Sequence, residues 1–214
     1  MRFHELVEAR RSVREYTDEP LDDETLTELF DRVKYTPTGY NLQPQEFLVL
    51  REDDRQALLR ECAYNQEQVT DAAAAVVVLG NLDPAAHADR VFDDWLDKDY
   101  VPNEEVRDGL ASNVEGWREQ PAEENRVWTV RNSSLAAMTL IYAAWEMGIA
   151  SCPMEGFDAE AVRDEFDIDD GYEPVMIVTL GYAEAEASSP SKPAKFRRPP
   201  AENVHEEVFV PHAE

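Results

Sequence analysis

Two short basic stretches of this sequence have the residue types and spacing to bind an anion. The first is ARRSVREY at residues 9–16, and the second is KFRRP at residues 195–199. A guanidinium offers a planar fork of N–H donors that suits a phosphate, and a neighbouring hydroxyl adds another donor. The stretches together indicate a phosphate pocket closed by both ends of the chain, with surface ion pairs to carboxylates as the alternative. The candidate ligands are Arg10, Arg11, Ser12, Arg14, Lys195 and Arg197.

The rest of the chain is strongly acidic. Its 214 residues carry 46 Asp and Glu against 20 Lys and Arg, for a formal net charge of -26. Nucleic acid and anionic membranes would be repelled, so neither is expected as a partner. Because the acids are spread evenly and lysines are few, we expect the salt-adapted surface of a halophilic protein that needs molar salt to fold and act. A nucleic-acid mimic and a calcium-binding surface are the alternatives.

Metal, disulfide and membrane signals are weak in this sequence. Cys62 and Cys152 lie far apart and form no CxxC unit, and the four histidines have no paired metal spacing. No run reaches the roughly 18 apolar residues of a membrane span, and the first residues lack the apolar core of a secretion signal. We therefore expect a cytoplasmic protein with free thiols and no metal.

The hydrophobic spacing predicts the elements that would position these residues. Apolar residues three and four apart indicate helices, whereas short apolar and β-branched runs indicate strands. Mixed helices and strands without regular βαβ alternation indicate one α+β domain over residues 1–214. Predicted helices span 3–9, 21–37, 53–63, 123–147 and 158–166, and predicted strands span 46–50, 72–81, 173–182 and 206–211.

Three segments have an unusual character. The helix at 123–147 is apolar nearly all round, so we expect it to be central and shared with a second subunit. The strand at 206–211 follows a Pro-rich and Ser-rich linker and has no neighbour to pair with, which an arm reaching across to another subunit would explain. Residues 84–119 combine tryptophans with many acids and show only weak helical periodicity.

Several segments in order resemble the FMN-dependent nitroreductase family. The stretch ARRSVREY resembles its R-x-S-x-R/K-x-(F/Y) signature, and PTGYNLQP resembles its P-(S/T)-x-x-N-x-Q-P. YNQEQVTDAAAAVVVLG resembles the asparagine segment before its buried strand, EMGIASCPMEGFDAEAVRDEF its G-x-x-x-x-P-x-x-G-F segment, and KFRRP its K-x-R-x-P. The resemblance implies a nitroreductase-like fold: a central, mostly antiparallel sheet flanked by helices, a long central dimer helix and a C-terminal extension at 188–214 whose arm crosses to the partner.

The resemblance also implies the cofactor, FMN, and the residues that bind it. Arg10, Ser12 and Arg197, with Lys195 nearby, would hold the phosphate. Around the isoalloxazine, the resemblance places Arg14, Asn65 and Gln68 at the pyrimidine edge, Pro153, Met154, Glu155 and Gly156 at the central ring, and Pro37, Thr38, Gly39 and Asn41 from the partner subunit. A backbone N–H of Glu155 or Gly156 would face flavin N5, and Gly156 would be glycine because the backbone approaches a flat ring closely.

The activity implied by the resemblance is that of an NAD(P)H oxidoreductase. NADH or NADPH would transfer hydride to flavin N5 and leave, and a quinone, nitroaromatic or similar small-molecule acceptor would then take its place in ping-pong order. No side chain need act as a nucleophile, since the cofactor carries the chemistry. The alternatives are a non-catalytic flavin carrier or sensor, and a specialised member such as a dehydrogenase or a flavin-fragmenting enzyme.

This sequence departs from the family pattern at three places. Gln68 stands where the family often has a lysine, so Arg14 would be the main cation at the pyrimidine edge, and the flavin reduction potential is expected to be lower than in relatives. Gln45 stands where an aromatic residue is common. Residues 84–119 align with no motif, yet they correspond to the variable lid that selects substrates in the family.

Overall fold

The structure is a computed structural model that describes residues 2–184 and 195–209. Over these residues it contains eight α-helices and four β-strands. The helices are α1 (Phe3–Ala9), α2 (Asp23–Val33), α3 (Asp53–Cys62), α4 (Gln68–Asp71), α5 (Ala88–Asp97), α6 (Glu104–Glu115), α7 (Ala122–Glu146) and α8 (Ala159–Glu165). The strands are β1 (Gln45–Leu50), β2 (Ala74–Asn81), β3 (Ala150–Met154) and β4 (Tyr172–Gly181).

The four strands form one antiparallel sheet in the order β1-β2-β4-β3. The predicted α+β class with an antiparallel sheet flanked by helices is therefore confirmed. β1 and β3 lie at opposite edges of the sheet, with β2 and β4 between them. At a spacing of about 4.8 Å between neighbouring strands, the two edges lie roughly 14 Å apart.

Both faces of the sheet are covered by helices, which the continuous apolar run of β2 requires. Successive strand residues point to opposite faces. Val76 and Val78 accordingly pack in a core with α2 and α7, whereas Ala75 and Val77 pack in a second core with α3 and α8. The sheet is thus a rigid middle layer, and its strand ends and edges are left to carry loops.

The helix ends follow the capping residues in the sequence. The Asp22 carboxylate accepts from the backbone N–H of Thr25 at 2.7 Å, and that of Asp158 accepts from Glu160 and Ala161 at 3.0 and 3.1 Å. The long helix α7 ends before Gly148, whose φ of 78° lies in the left-handed region that glycine adopts without strain. These boundaries confirm the predicted helices at 21–37, 123–147 and 158–166 to within a few residues.

Residues 84–119 form a helical hairpin of α5 and α6, closed by a 3-10 turn at Gly116–Glu119. Its core is aromatic: Phe92 is fully buried and makes edge contacts with Trp95 and Tyr40. Trp117 contacts Tyr40 as well, and also Trp128 on α7. We call α5, α6 and this turn the hairpin. It packs on the 39–42 loop and on α7.

Some elements differ from the sequence prediction. β3 and α4 were not predicted. In the single chain residues 206–208 form bends, and residues 210 and 211 lie outside the described part of the chain. The strand at 206–211, which we expect to pair with a second subunit, stays a prediction. No helix within residues 2–184 and 195–209 is long and apolar enough to cross a membrane.

Candidate active site

The N-terminal basic stretch lies against edge strand β3. Ser12 bridges Ser151 in parallel fashion, and the backbone N–H of Val13 donates to the carbonyl of Ser151 at 3.0 Å. Further along, Thr17 N–H donates to the carbonyl of Tyr182 at 2.8 Å, just beyond β4. Both contacts fix the backbone of residues 12–17. The side chains of Ser12 and Arg14 remain exposed.

Positive charges from both ends of the chain converge beside this strand. Burial raises the pKa of the Cys152 thiol, and the charges of Arg14, Arg10 and Lys195 oppose part of that rise. For such an effect the three cations must lie near Cys152. We call Arg10, Ser12, Arg14 and Lys195 the basic cluster.

One donor of the basic cluster is buried without a partner. Nη1 of Arg10 is inaccessible to solvent and makes no hydrogen bond to any described residue, and the hydroxyl of Ser151 behind the cluster is likewise unpaired. A buried donor without an acceptor costs about 1–3 kcal/mol or more when charged, so native proteins rarely leave one. An anionic oxygen would satisfy Arg10. The cluster therefore fits a phosphate group.

The remaining arginines of the two basic stretches have different surroundings. The Arg11 guanidinium donates to the carbonyls of Glu8, Ala9 and Arg10, where it caps the end of α1. Arg197 donates to the carbonyl oxygens of Lys195 and Phe196 within its own segment. Contacts of Arg11 and Arg197 with a phosphate stay predictions.

The predicted pyrimidine-edge segment meets the segment after β3. The amide of Gln66 donates to the carbonyl oxygen of Gly156 at 2.7 Å, and the amide of Gln68 donates to Gln66 Oε1 at 3.1 Å. Asn65 adopts a left-handed φ of 58°, a conformation that asparagine tolerates better than most residues. The structure thus brings Asn65 and Gln68 beside Met154, Glu155 and Gly156. We call residues 65–68 the glutamine loop.

Glu155 and Gly156 are exposed at the end of β3, after half-buried Pro153 and buried Met154. No described residue accepts a hydrogen bond from the backbone N–H of Gly156, so this donor is free to meet a ligand. A Cβ at Gly156 would lie 3.3 Å from Nε2 of Gln66. The protein itself therefore supplies one reason for glycine at this position, besides the expected approach of a flat ring.

The segment Pro37–Gln43 lies at the other edge of the sheet, where it leads into β1. The backbone N–H of Gly39 donates to Oδ1 of Asn132 at 2.8 Å, and the Thr38 hydroxyl accepts from the N–H of Gln43 at 3.0 Å. Tyr40, Asn41 and Gln43 all adopt left-handed φ values between 48° and 56°. We call residues 37–43 the β1 loop, and the hydrogen bonds of Gly39 and Gln43 hold its strained backbone in one shape.

A cleft of about 770 Å³ separates the β1 loop from the polar face of α5. Asn41 lines it, together with Gln43, Gln45, His87, Arg90, Val91, Asp93, Asp94 and Asp97. Two of its acids are paired, since Asp93 contacts Arg107 at 2.7 Å and Asp94 contacts Lys98 at 2.6 Å. Helix α5, which belongs to the segment 84–119 that aligned with no motif, therefore lines a cleft beside Asn41, a predicted site residue.

The predicted site residues consequently form two groups within one chain. The basic cluster, the glutamine loop and residues 153–156 gather at the β3 edge, whereas the β1 loop lies at the β1 edge. Sequence reasoning missed Gln66 and Asn132, whose side chains bind the Gly156 carbonyl and the Gly39 N–H, and Cys152, which lies beside the basic cluster. Gln66 and Cys152 lie inside segments that resemble family motifs, which could have drawn attention to them, whereas Asn132 lies in none. Among the described residues, no cluster of His, Cys, Asp and Glu could hold a metal.

Comparison with known sequences identifies relatives of similar length. Residues 7–182 match the profile of the nitroreductase family. A Bacillus subtilis protein named as a candidate NAD(P)H nitroreductase, YodC, is 35% identical over 180 residues, which cover 84% of this chain and 88% of that protein. A second protein of that organism, MhqN, named in the same way, is 32% identical over 204 residues, covering 94% and 97%.

Solved structures agree with the sequence relatives. The crystal structure of a candidate nitroreductase from Bacillus subtilis, YdfN, has a TM-score of 0.87 and 30% identity, covering 95% of this chain and 97% of its own. A candidate nitroreductase from Exiguobacterium sibiricum, solved in complex with FMN, has a TM-score of 0.82 and 27% identity, covering 94% and 95%.

Proposed function

Because the chain belongs to the nitroreductase family, we propose that it is an FMN-dependent NAD(P)H oxidoreductase that reduces a small-molecule acceptor. The observation that carries this proposal is the basic cluster, where both ends of an acidic chain bring cations to one place and Nη1 of Arg10 is buried with no partner in the described part of the chain. A neighbour of the same fold is named as an FMN complex, which supports the choice of cofactor.

In this proposal, each group of residues at the β3 edge binds a different part of FMN. Arg10, Ser12 and Lys195 bind the phosphate, with Arg197 as a further predicted ligand. Arg14 and Asn65 face the pyrimidine edge of the ring system, where a fixed positive charge favours the reduced, anionic form. The free N–H of Gly156 is aimed at flavin N5. When bound, FMN supplies the two-electron hydride chemistry that these side chains lack.

The second half of the site comes, in this proposal, from a partner subunit. The β1 loop and the basic cluster of one chain lie at opposite edges of the sheet, which are roughly 14 Å apart, and this favours a site that takes its β1 loop from the other chain. Exposed apolar residues on α1 and α7, Phe3 at 70% and Leu135 at 50% exposure, provide surface for such an interface. A homodimer would thereby build two composite sites.

The cleft beside Asn41 gives room for donor and acceptor. In a composite site it would open next to the ring system bound by the other chain, so that α5 limits which molecules enter. A single cleft that serves both molecules in turn leads to ping-pong kinetics, with a quinone or a nitroaromatic as the proposed acceptor class. Kinetic lines that intersect in a ternary-complex pattern would contradict a shared cleft.

The direct test uses the absorption spectrum of the protein purified in high salt. We expect flavin bands that bleach under anaerobic NADH or NADPH and return when a quinone is added. A protein that stays yellow with both nucleotides would be a carrier or sensor. A protein that takes up no FMN would contradict the proposal as a whole.

A further inference from the structure

We propose that Gln66 is a positioning residue that holds the Gly156 backbone in place, and that Gln68 acts on the site through Gln66. The inference rests on the proposed function, since it concerns the backbone that would face FMN. It also gives a distinct role to a position where relatives often carry a lysine.

The two amides donate in sequence, from the buried Gln68 to Gln66 and from Gln66 to the exposed Gly156. Gln68 Nε2 donates to Gln66 Oε1 at 3.1 Å and lies 3.7 Å from the Met154 sulfur. Gln66 Nε2 donates in turn to the carbonyl of Ala63 at 3.1 Å and to that of Gly156 at 2.7 Å. We call this series of hydrogen bonds from Gln68 through Gln66 to Gly156 the relay. It joins the loop after α3 to the segment after β3.

The relay also fixes which way the Gln66 amide points. An amide has one acceptor oxygen and one donor nitrogen, and the two are interchangeable only when neither has a committed partner. Because the oxygen of Gln66 accepts from Gln68, its nitrogen must face the two carbonyls. Gln68 is itself buried, at 8% exposure, so its amide is held within the protein.

Within residues 153–156, Gly156 alone has no side chain whose packing could fix the backbone. The hydrogen bond from Gln66 to its carbonyl restricts this residue instead. Glycine has the widest conformational freedom, so an exposed glycine without a tether would sample many orientations. The Gly156 carbonyl shares its peptide plane with the N–H of Phe157, which donates to the Glu155 carbonyl at 3.1 Å. That carbonyl shares its own plane with the N–H of Gly156, so the two hydrogen bonds together keep the Gly156 N–H in one direction. A donor aimed at N5 is useful only if it is held in that direction before the ligand arrives.

The test compares Gln66→Met and Gln68→Met, which keep side-chain length and remove the amide, with Gln120→Met on the exposed turn after α6 as the control. Hydrogen exchange of the Phe157 amide, which donates to the Glu155 carbonyl at 3.1 Å, is measured without FMN. The midpoint potential and the dissociation constant of bound FMN are measured separately. Should Gln66→Met not fold, Gln66→Asn keeps the amide but is one methylene too short to reach Gly156.

We expect Gln66→Met to speed exchange of the Phe157 amide at least tenfold and to weaken the binding of oxidised FMN about tenfold, while the affinity for reduced FMN changes by less than threefold. An N–H held toward N5 favours the oxidised form, so its loss should favour reduced FMN tenfold, a rise in potential of about 30 mV for a two-electron couple. Gln68→Met should do less, and the double variant should match Gln66→Met, because residues that act in series are not additive.

Two results would overturn the inference. Unchanged exchange and potential in Gln66→Met would show that Gly156 needs no tether, and additive effects in the double variant would show that Gln68 acts on the cofactor independently. Either result leaves the proposed function standing if the wild-type protein binds FMN and bleaches with NADH. Failure of the wild type to bind FMN rejects the proposed function instead, whereas the exchange rates still decide whether the tether exists.

Discussion

The two halves of the candidate site are built by opposite means. At the β3 edge, polar groups are joined by hydrogen bonds, and a charged donor, Arg10 Nη1, is buried with no partner among the described residues. At the β1 edge, the loop packs on an aromatic cluster around Phe92, and the N–H of Gly39 donates to Asn132, although the neutral Oε1 of Gln45 is buried with no partner among the described residues. The unpaired group at the β3 edge is charged and calls for a ligand, whereas the β1 loop is held in shape by its own contacts.

We expect this difference to separate residues that contribute to ligand affinity from residues that contribute to folding stability. Residues of the β3 edge should matter for ligand affinity more than for stability, because part of their bonding is completed only by the ligand. Residues that support the β1 loop should matter for stability first. Each prediction below would sharpen or break this division.

The largest effect is expected for Phe92→Ala. Phe92 is fully buried at the centre of the hairpin, and truncating a buried phenylalanine costs about 3–5 kcal/mol. Chemical denaturation should show this loss, while the folded fraction keeps its FMN dissociation constant. Tyr100→Ala, on a residue of the same hairpin that is 74% exposed, is the control. A Phe92→Ala protein of normal stability would break the division.

Arg10→Met should show the reverse pattern. Removing a charged donor from a phosphate costs about 1.5–3 kcal/mol, so FMN should bind roughly tenfold to a hundredfold more weakly. The stability of the FMN-free protein should stay the same or rise, because a buried unpaired donor is removed. Arg2→Met, on an exposed arginine paired with Glu5 at 3.1 Å, should change neither quantity. A destabilised Arg10→Met protein with normal FMN affinity would contradict the account.

Asn132→Ala tests the support of the β1 loop. The variant leaves the Gly39 N–H without its acceptor, and because Gly39 is exposed and water can replace Asn132, we expect only the net loss of one hydrogen bond, about 0.5–1.5 kcal/mol. The free energy of unfolding should fall by that amount. Ser134→Ala removes only a hydroxyl that donates to the helix carbonyl of Val130 and serves as the control on α7. Equal stability of the two variants would mean that the bond to Gly39 does not hold the loop.

The smallest effect is expected for the ion pair between Asp83 and Arg118, which joins the loop after β2 to the hairpin. The hydrogen bonds of Arg118 hold the pKa of Asp83 below its ordinary value of 3.8. A carboxyl with a lowered folded pKa contributes stability above its unfolded pKa and loses it as the pH falls through the folded value. Both side chains are more than a third exposed, so Asp83→Asn should cost less than about 1 kcal/mol near neutral pH.

The pH dependence of the unfolding free energy is the control for the prediction on Asp83 and Arg118. The difference in unfolding free energy between wild type and Asp83→Asn should vanish once the pH is below the folded pKa of Asp83. A difference that persists in acid would show that the aspartate acts through something other than its charge.

The contrast between the two halves also explains what the sequence could predict. Arg10, Ser12 and Arg14 could be recognised because they are closely spaced in a strongly acidic chain and match the family's R-x-S-x-R/K pattern. Most helices and three strands were predictable from local patterns, such as the capping aspartates and the β-branched run of β2. These signals lie within a few residues of one another, so one sequence is enough to read them.

The missed parts depend on contacts that local patterns do not encode. β3 reads ASCPM, with no β-branched residue and with a proline that an edge strand tolerates. The hairpin depends on Tyr40, Trp117 and Trp128 meeting across three elements. Residues 206–208 form bends in the single chain, and the strand at 206–211 stays a prediction, since a lone alternating segment needs a neighbour, here from a second subunit, for its hydrogen bonds.

The most direct test of the account is a mixed dimer. Arg10→Met disables the basic cluster, and Asn41→Trp fills the cleft beside the β1 loop. At an FMN concentration close to the wild-type dissociation constant, neither homodimer should have a filled and working site. Co-expressed with different tags, the two chains should form mixed dimers that pair the intact cluster of one chain with the intact β1 loop of the other, regaining one FMN per dimer and NADH-dependent bleaching. Mixed dimers that regain neither would contradict a site shared between subunits.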